Sequence, residues 1–240
     1  IAAAGVLVLF DIRIDWLTNP FGNMIYLDYL AIPVTIFWVV GLTNTLNLID
    51  GLDGLAAGVS TIAAITIMLV ALQQNFWTVA ILTAALAGSA LGFLQHNFNP
   101  AKIFMGDTGS MFLGYMLAAV SVLGTVKSAA TVALVVPAVA LGLPIMDTAF
   151  AIIRRYLSGR PIFKPDKGHL HHRLLAMGLT QRQAVLWMYL ISGFLGASAI
   201  VLTFVNEVSG ALIVLALLGV AVLGAMKIGV LKDSGSVESH

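Results

Sequence analysis

The 240-residue sequence has no cysteine and little charge. The absence of cysteine excludes a disulfide framework and thiolate chemistry. Charged residues make up 10% of the chain and hydrophobic residues 60%, whereas soluble domains have about 25% charged and about 45–50% apolar residues. This composition excludes an ordinary soluble domain and predicts a membrane protein.

Long apolar runs account for most of the chain. Because a helix rises about 1.5 Å per residue, about 20 apolar residues cross a hydrocarbon core about 30 Å thick. The runs lack the alternation of barrel strands, and helices satisfy their own backbone groups in lipid. We expect an all-α polytopic transmembrane helical bundle, with a partial span at 1–10 and full spans at 31–49, 54–72, 76–95, 108–126, 129–150, 184–205 and 209–230.

The connecting segments place most of the basic residues on one face. Successive spans alternate in direction, so the loops at about 47–54, 96–107 and 152–183 share a side, as does the segment after the last span. Cytoplasmic loops are enriched in lysine and arginine. We therefore interpret residues 1–240 as one integral membrane domain whose shared face is cytoplasmic and holds ten of the twelve basic residues: Lys102, Arg154, Arg155, Arg160, Lys164, Lys167, Arg173, Arg182, Lys227 and Lys232.

The first loop of this face carries two carboxylates. Asp50 and Asp53 lie three residues apart in NTLNLIDGLDGLAAG (44–58), each followed by glycine. On a helix this spacing puts both side chains on one side. Capping of the next helix would explain Asp53 alone. Ionisable groups at membrane depth are costly and usually functional, which favours an active site.

The second loop contains NFNPAKIFMGDTGS (97–110), with Asp107 at the start of a span. Mg²⁺ binds one or two carboxylates and keeps waters and substrate phosphates as its other ligands, so Asp107 is a candidate metal ligand. The same residue types also suit a helix N-cap, and both interpretations remain open. For Phe104, an interfacial aromatic is the simpler interpretation.

The third loop clusters histidines with basic residues. Within PIFKPDKGHLHHRLL (161–175), three histidines, two lysines and one arginine follow each other closely. Lysine binds phosphate as a point charge and arginine as a bidentate fork, so we favour an anion site. A zinc site and a basic patch that contacts anionic lipid are the alternatives.

Asp147 lies near the cytoplasmic end of its span. We expect it to have a structural role, paired with Arg154, with Arg155 or with a residue of another helix, and a catalytic role is the alternative.

Taken in order and spacing, these three segments resemble the signature segments of the polyprenyl-phosphate N-acetylhexosamine-1-phosphate transferases, of the glycosyltransferase family 4 type. The HLHHRL form (169–174) is similar to the N-acetylglucosamine-1-phosphate branch, whereas the muramoyl-pentapeptide branch tends to have three consecutive histidines. The family also has an adjacent Asp pair in an earlier cytoplasmic loop, and this sequence has none. The resemblance therefore implies that an N-terminal part is missing from it.

The resemblance also implies roles for individual residues. Asp107 would ligate Mg²⁺, with Mn²⁺ as the alternative, and Asn47 would contribute near the metal. Asp50 and Asp53 would be catalytic. The remaining residues would contact the substrate, namely Gly51 and Leu52 near uridine, Phe104 and Asn97 at the uracil, and His169, His171, His172 and Arg173 at the diphosphate or sugar.

The implied reaction is the Mg²⁺-dependent transfer of N-acetylglucosamine-1-phosphate from a UDP-sugar to undecaprenyl or polyprenyl phosphate, with release of UMP. It would take place at the cytoplasmic face of the bacterial inner membrane. Direct attack and an aspartyl-phosphate intermediate both remain open, as does a homodimer, and no nucleic acid partner is expected. Muramoyl-pentapeptide transfer is one alternative. A secondary transporter is another, although nearly all the acids lie at span ends rather than at the bilayer midplane.

Overall fold

The computed structural model describes residues 1–17, 24–127, 134–159, 161 and 168–229. Two 3₁₀ turns lie at Asp28–Leu30 and Leu202–Phe204. A two-stranded antiparallel sheet, not predicted from the sequence, pairs β1 (Trp16–Leu17) with β2 (Ile25–Tyr26). The helices are α1 (Ala2–Leu9), α2 (Ala31–Ile49), α3 (Leu55–Gln73), α4 (Trp77–Asn97), α5 (Gly106–Lys127), α6 (Val135–Ala140), α7 (Gly142–Leu157), α8 (Leu170–Ala176), α9 (Gln181–Val201) and α10 (Glu207–Ile228).

The predicted all-α polytopic bundle is confirmed. Within the described ranges, six helical segments are long and apolar enough to cross a membrane. The protein is therefore a multi-pass membrane protein. The six segments are Asp28–Ile49, Leu55–Gln73, Trp77–Asn97, Gly106–Gly124, Gln181–Phe204 and Glu207–Ile228.

One predicted span is wrong as a continuous helix. In place of 129–150 the structure has α6 and α7, which meet at Leu141, while residues 129–133 lie outside the described part. Pro144 has no N–H for the carbonyl group of Ala140 and its ring crowds that position, which accounts for the break. The second helix also continues beyond the predicted end, to Leu157.

The two short helices together make one crossing. Val136 of α6 lines a small apolar cleft with Gln74 and Gly124, which lie at the far ends of α3 and α5. The other end of α7 reaches the loop before α8, where Arg154 donates to the carbonyl oxygen of Gly168 at 3.1 Å. The alternation of helix directions therefore holds along the chain.

Hydrogen bonds at the two ends of the bundle show the same alternation. At one end, Thr203 after α9 donates to Gln73 of α3 at 2.9 Å. At the other, Asn99 after α4 donates to Gln181 at the start of α9 at 2.8 Å. The loops at 47–54 and 96–107 and the segment around α8 consequently lie at the same end, as the alternation of spans predicts.

The third helix lies at the centre of the bundle. In the most apolar 18-residue stretch of α3, 72% of the residues are buried, whereas 6% are buried in the corresponding stretch of α10. Alanine, glycine and serine dominate the first half of α3, so neighbouring helices can approach closely. Gly58 leaves room for a side chain of α9, since a methyl group at position 58 would lie 2.1 Å from Cζ of Tyr189. The hydroxyl of that tyrosine donates to the carbonyl oxygen of Gly54 at 2.5 Å.

Gly58→Ala is expected to lower the melting temperature of the purified protein. The added methyl group would displace the Tyr189 ring and break its hydrogen bond to Gly54. Overpacking of this kind costs about 1–3 kcal/mol, which exceeds the gain of about 0.5–1 kcal/mol from replacing a helical glycine. Gly88→Ala in α4 is the matched control, because nothing lies within 4 Å of a methyl group there. Equal melting temperatures for the two variants would contradict the packing argument.

Candidate active site

Two carboxylates approach each other at the end of the bundle. Asp50 follows the last residue of α2, and Asp107 lies in the first turn of α5, where the helix dipole favours negative charge. Asn47 connects the two helices, since its amide nitrogen lies 3.2 Å from Oδ1 of Asp107 and 2.9 Å from Oγ of Ser110. The first two predicted segments therefore meet through Asn47 and Asp107.

The environment of Asp50 opposes its ionisation. Burial, followed by the nearby negative charge of Asp107, raises the pKa of Asp50 to about 6 from its ordinary value of 3.8. Two carboxylates in this arrangement repel each other when both are ionised. A cation between them would relieve that repulsion.

The oxygen donors at this site suit a hard cation whose remaining ligands are waters and substrate phosphates. The described residues contain no group of three or more His, Asp or Glu side chains placed to hold a metal, so within that part of the chain the zinc alternative has no ligand cluster. Magnesium needs only one or two carboxylates when substrate phosphates and waters complete its octahedron. Asp50, Asp107 and the amide oxygen of Asn47 provide that type of donor set.

Asp53 does not share a helix face with Asp50, so that expectation is wrong. Residues 50–54 form a turn between α2 and α3, and the two carboxylates have different partners. Oδ2 of Asp53 accepts hydrogen bonds from the amide of Asn99 at 3.0 Å and from the backbone N–H of Ala101 at 3.1 Å. Capping is wrong as well, because the N-cap of α3 is Gly54 and no side chain caps it.

Asn97 is buried and its amide is bonded at both ends. Its oxygen accepts from the N–H of Gly54 at 3.0 Å, and its nitrogen donates to the carbonyl oxygen of Ile103 at 2.9 Å. A contact with uracil, which stays a prediction, would compete with these bonds.

Leu52 is half-buried against the core. Phe104 is 79% exposed, which leaves its ring accessible to a ligand.

The histidine segment packs against the first loop. His171, in α8, is 1% exposed, and a methyl group at position 51 would lie 2.5 Å from its Nε2 atom. Gly51 therefore leaves the space that the imidazole fills. With the Asn47–Asp107 contact, this packing brings all three predicted segments together in one place.

The imidazole of His171 is neutral at physiological pH. Burial, and then the neighbouring His172, lower the pKa of His171 to about 4. Its Nδ1 atom is buried without a hydrogen-bond partner among the described residues. The ring of His172 follows with its centroid 4.1 Å away, and Arg173 is the next residue. Lys164 and Lys167 of the predicted cluster lie outside the described residues.

The sequence interpretation missed several residues that hold these loops in place. The side-chain amide of Asn99 donates to Asp53 and Gln181. Its backbone carbonyl oxygen accepts from Arg182 at 2.9 Å. These contacts connect the second loop to α9. Asp147, expected to be structural, accepts from Nδ1 of His169 at 2.8 Å. Partners so distant in sequence leave no local pattern. The signal that was present for Asn99 is its place inside the motif FNPAKIFMGD.

A family model described as glycosyl transferase family 4 matches residues 1–125, which include the first two loops. The chain belongs to this family. A relative from Bacillus subtilis (strain 168), named a probable undecaprenyl-phosphate N-acetylglucosaminyl 1-phosphate transferase, is 49% identical over 84% of this chain and 57% of its own length. A decaprenyl-phosphate N-acetylglucosaminephosphotransferase from Mycolicibacterium smegmatis is 40% identical over 94% of this chain and 60% of its own length.

More distant relatives belong to the muramoyl branch. A phospho-N-acetylmuramoyl-pentapeptide-transferase from Lactobacillus johnsonii is 35% identical over 74% of this chain and 54% of its own length. The glycosyl transferase family 4 member described here thus spans somewhat more than half the length of the relatives that it matches. The resemblance inferred from the three loop motifs is confirmed.

Asp50→Asn is expected to raise the melting temperature at about pH 7.5 in a chelating buffer, because it removes an unfavourable ionisation. In the native state Asp50 keeps its proton up to a pKa of about 6, whereas the unfolded chain releases it near 3.8. Stability therefore falls as pH rises between these values, and the loss is complete above about pH 6. The advantage of the variant should disappear below about pH 4.

Asp28→Asn is the matched control, because Asp28 is an exposed carboxylate at the opposite end of the bundle. It should show no comparable gain at either pH. A melting temperature of the Asp50 variant at or below that of the wild type near neutral pH would contradict the described environment of Asp50.

Proposed function

We propose that the full-length protein transfers N-acetylglucosamine-1-phosphate from UDP-N-acetylglucosamine to a polyprenyl phosphate such as undecaprenyl phosphate, with release of UMP. The observation that carries the proposal is the junction of the three loops. The hydrogen bond between Asn47 and Asp107 and the packing of His171 on Gly51 place two carboxylates beside the histidine segment. The names of the N-acetylglucosamine relatives support the choice of reaction.

The location of the junction suits a lipid acceptor and a water-soluble donor. A polyprenyl chain stays in the hydrocarbon while its phosphate reaches the ends of the helices, where these loops lie. Basic residues of the same end, such as Arg173 and Arg182, favour the cytoplasmic side of a bacterial inner membrane. The donor would then arrive from the cytoplasm.

The reaction joins two anions, so neutralisation of charge is the main requirement. In the direct form of the reaction, an oxygen of the lipid phosphate attacks the β-phosphorus of the UDP-sugar. The bond from that phosphorus to the bridging oxygen breaks, and UMP leaves with the electron pair. Catalysis of phosphoryl transfer consists mostly of positioning and electrostatic stabilisation, which a rigid junction of three loops can supply.

Individual side chains would divide this work. Asp107, Asn47 and Asp50 would hold Mg²⁺, which supplies Lewis-acid polarisation and charge neutralisation at the diphosphate when bound. Arg173 would donate to phosphoryl oxygens as a fork. His171 is neutral and its Nδ1 has no hydrogen-bond partner among the described residues, so it would act as a hydrogen-bond donor or acceptor rather than as a cation. Phe104 would stack on the uracil.

The muramoyl-pentapeptide transferases are the second candidate class, supported by the relative from Lactobacillus johnsonii. The HLHHRL sequence of α8 and the higher identity to the N-acetylglucosamine relatives favour the smaller sugar. Incubation of the full-length protein with undecaprenyl phosphate and a panel of UDP-sugars, followed by mass spectrometry of the lipids, tests this choice. A product formed only from UDP-N-acetylmuramoyl-pentapeptide would overturn it.

Asp107→Asn is expected to lower the transfer of radiolabelled sugar-phosphate to lipid by about 10²–10³-fold. The substitution keeps the size of the side chain and an oxygen that accepts from Asn47, and it removes the negative charge that would hold the cation. Asp11→Asn at the opposite end of the bundle is the charge-matched control and should retain full activity. Near-normal turnover of the Asp107 variant at saturating Mg²⁺ would refute its assignment as a ligand.

Two substitutions at position 53 separate catalysis from positioning. If the carboxylate serves to hold Asn99 and Ala101, Asp53→Asn retains an oxygen that accepts both bonds and should lower turnover less than Asp107→Asn. Asp53→Ala removes the acceptor and should lower it by about 10–100-fold. Equal, near-complete inactivation by both substitutions would show instead that the charge of Asp53 takes part in the reaction, as the sequence predicts.

A further inference from the structure

A buried polar cluster lies behind the histidine segment, on α7. Asp147 and Arg154 are seven residues apart, so both point to the same side of this helix. Each is 3% exposed. Charged groups are rarely buried so fully unless they are paired and hydrogen-bonded.

Both side chains hold the three residues that lead into α8. Arg154 Nη1 donates to the carbonyl oxygen of Gly168 at 3.1 Å. Asp147 accepts from Nδ1 of His169 at 2.8 Å through one oxygen, and from the backbone N–H of Leu170 at 2.7 Å through the other. Consecutive residues of the chain are thus fixed by a single helix.

The fit around this contact is tight. A methyl group at position 168 would lie 2.2 Å from Nη2 of Arg154, so only glycine fits there without a shift. Because an ionised carboxylate can only accept hydrogen bonds, Asp147 also requires the proton of a neutral His169 to reside on Nδ1. The ring of His169 stacks on that of His171, with centroids 5.8 Å apart and planes 7° from parallel.

We propose that Asp147 and Arg154 are positioning residues, which fix Gly168–Leu170 and thereby seat His171 against Gly51 beside the carboxylate pair. Neither acts on the reacting atoms. Their effect on turnover rests on the proposed function, whereas their effect on the position of His171 does not. Asp147 lies outside the three motifs and contributes to the site by positioning His169 and Leu170.

The position of His171 can be followed without an activity assay. Diethyl pyrocarbonate modifies accessible neutral imidazoles, and mass spectrometry with fragmentation assigns the modified residue. His171 is 1% exposed and should react slowly in the wild type, whereas the exposed His96 provides an internal reference. The full-length protein in nanodiscs is treated under identical conditions for each variant.

Two variants break the contact in different ways. Asp147→Ala removes the oxygens that accept from His169 and Leu170, whereas Gly168→Ala displaces Arg154. Both are expected to speed modification of His171 relative to His96 by about tenfold or more, as local opening becomes easier. Both should also lower kcat for transfer by about 10–100-fold, with a smaller change in KM. Gly193→Ala in α9, where nothing lies within 4 Å of a methyl group, should match the wild type in both assays.

The possible outcomes separate the two proposals. Continued protection of His171 in both variants would overturn the positioning role, whatever their activity. Exposure of His171 with wild-type turnover would overturn its importance for the reaction. A wild-type protein that is inactive with every donor would refute the proposed function, while the modification rates would still decide whether α7 positions His171.

Discussion

The hydrocarbon of the membrane is the constraint on which the rest of this structure depends. An ionised side chain in that environment is costly, so charge collects where helices end. Because helix directions alternate, ends that are far apart in sequence meet at the same face, and the three polar loops become neighbours. Burial at this end, and then the nearby charge of Asp107, raise the pKa of Asp50, and Gly51 contacts His171. The site is therefore a consequence of how polar segments are placed between apolar ones.

Amide side chains connect these loops and fix their positions relative to one another. Asn97 joins the first loop to the second through Gly54 and Ile103, and Asn99 joins the second loop to Asp53 and to Gln181. An amide can donate and accept at once without the desolvation cost of a charge, so it suits a boundary between lipid and water. The described amides thus hold the loops in place, and the hydrogen bonds of Asn97 and Asn99 leave Asp50 and Asp107 free of those two side chains.

The sequence predicted what depends on local composition and on the alternation of spans. Apolar runs identified six of the spans, and counting all seven predicted spans, 129–150 included, placed the loops on one face. The run 129–150 was misjudged because hydropathy does not register the backbone break that Pro144 imposes. The spacing of Asp50 and Asp53 was read as helical although the chain turns there. The bond between Asp147 and His169 joins residues 22 positions apart, and no periodicity encodes such a contact.

Close approach explains why three glycines lie where they do. At positions 51, 58 and 168 the space that a methyl group would need is taken by the tip of a side chain from another element, respectively His171, Tyr189 and Arg154. Each of these three side-chain tips is polar and lies at the end of the bundle where the loops meet. In a motif such as DGLDG, the absence of a side chain at Gly51 is therefore a packing requirement set by His171. This packing requirement follows from contacts between distant parts of the chain, so the sequence alone does not reveal it. A side chain at these glycine positions would collide with a residue of another element.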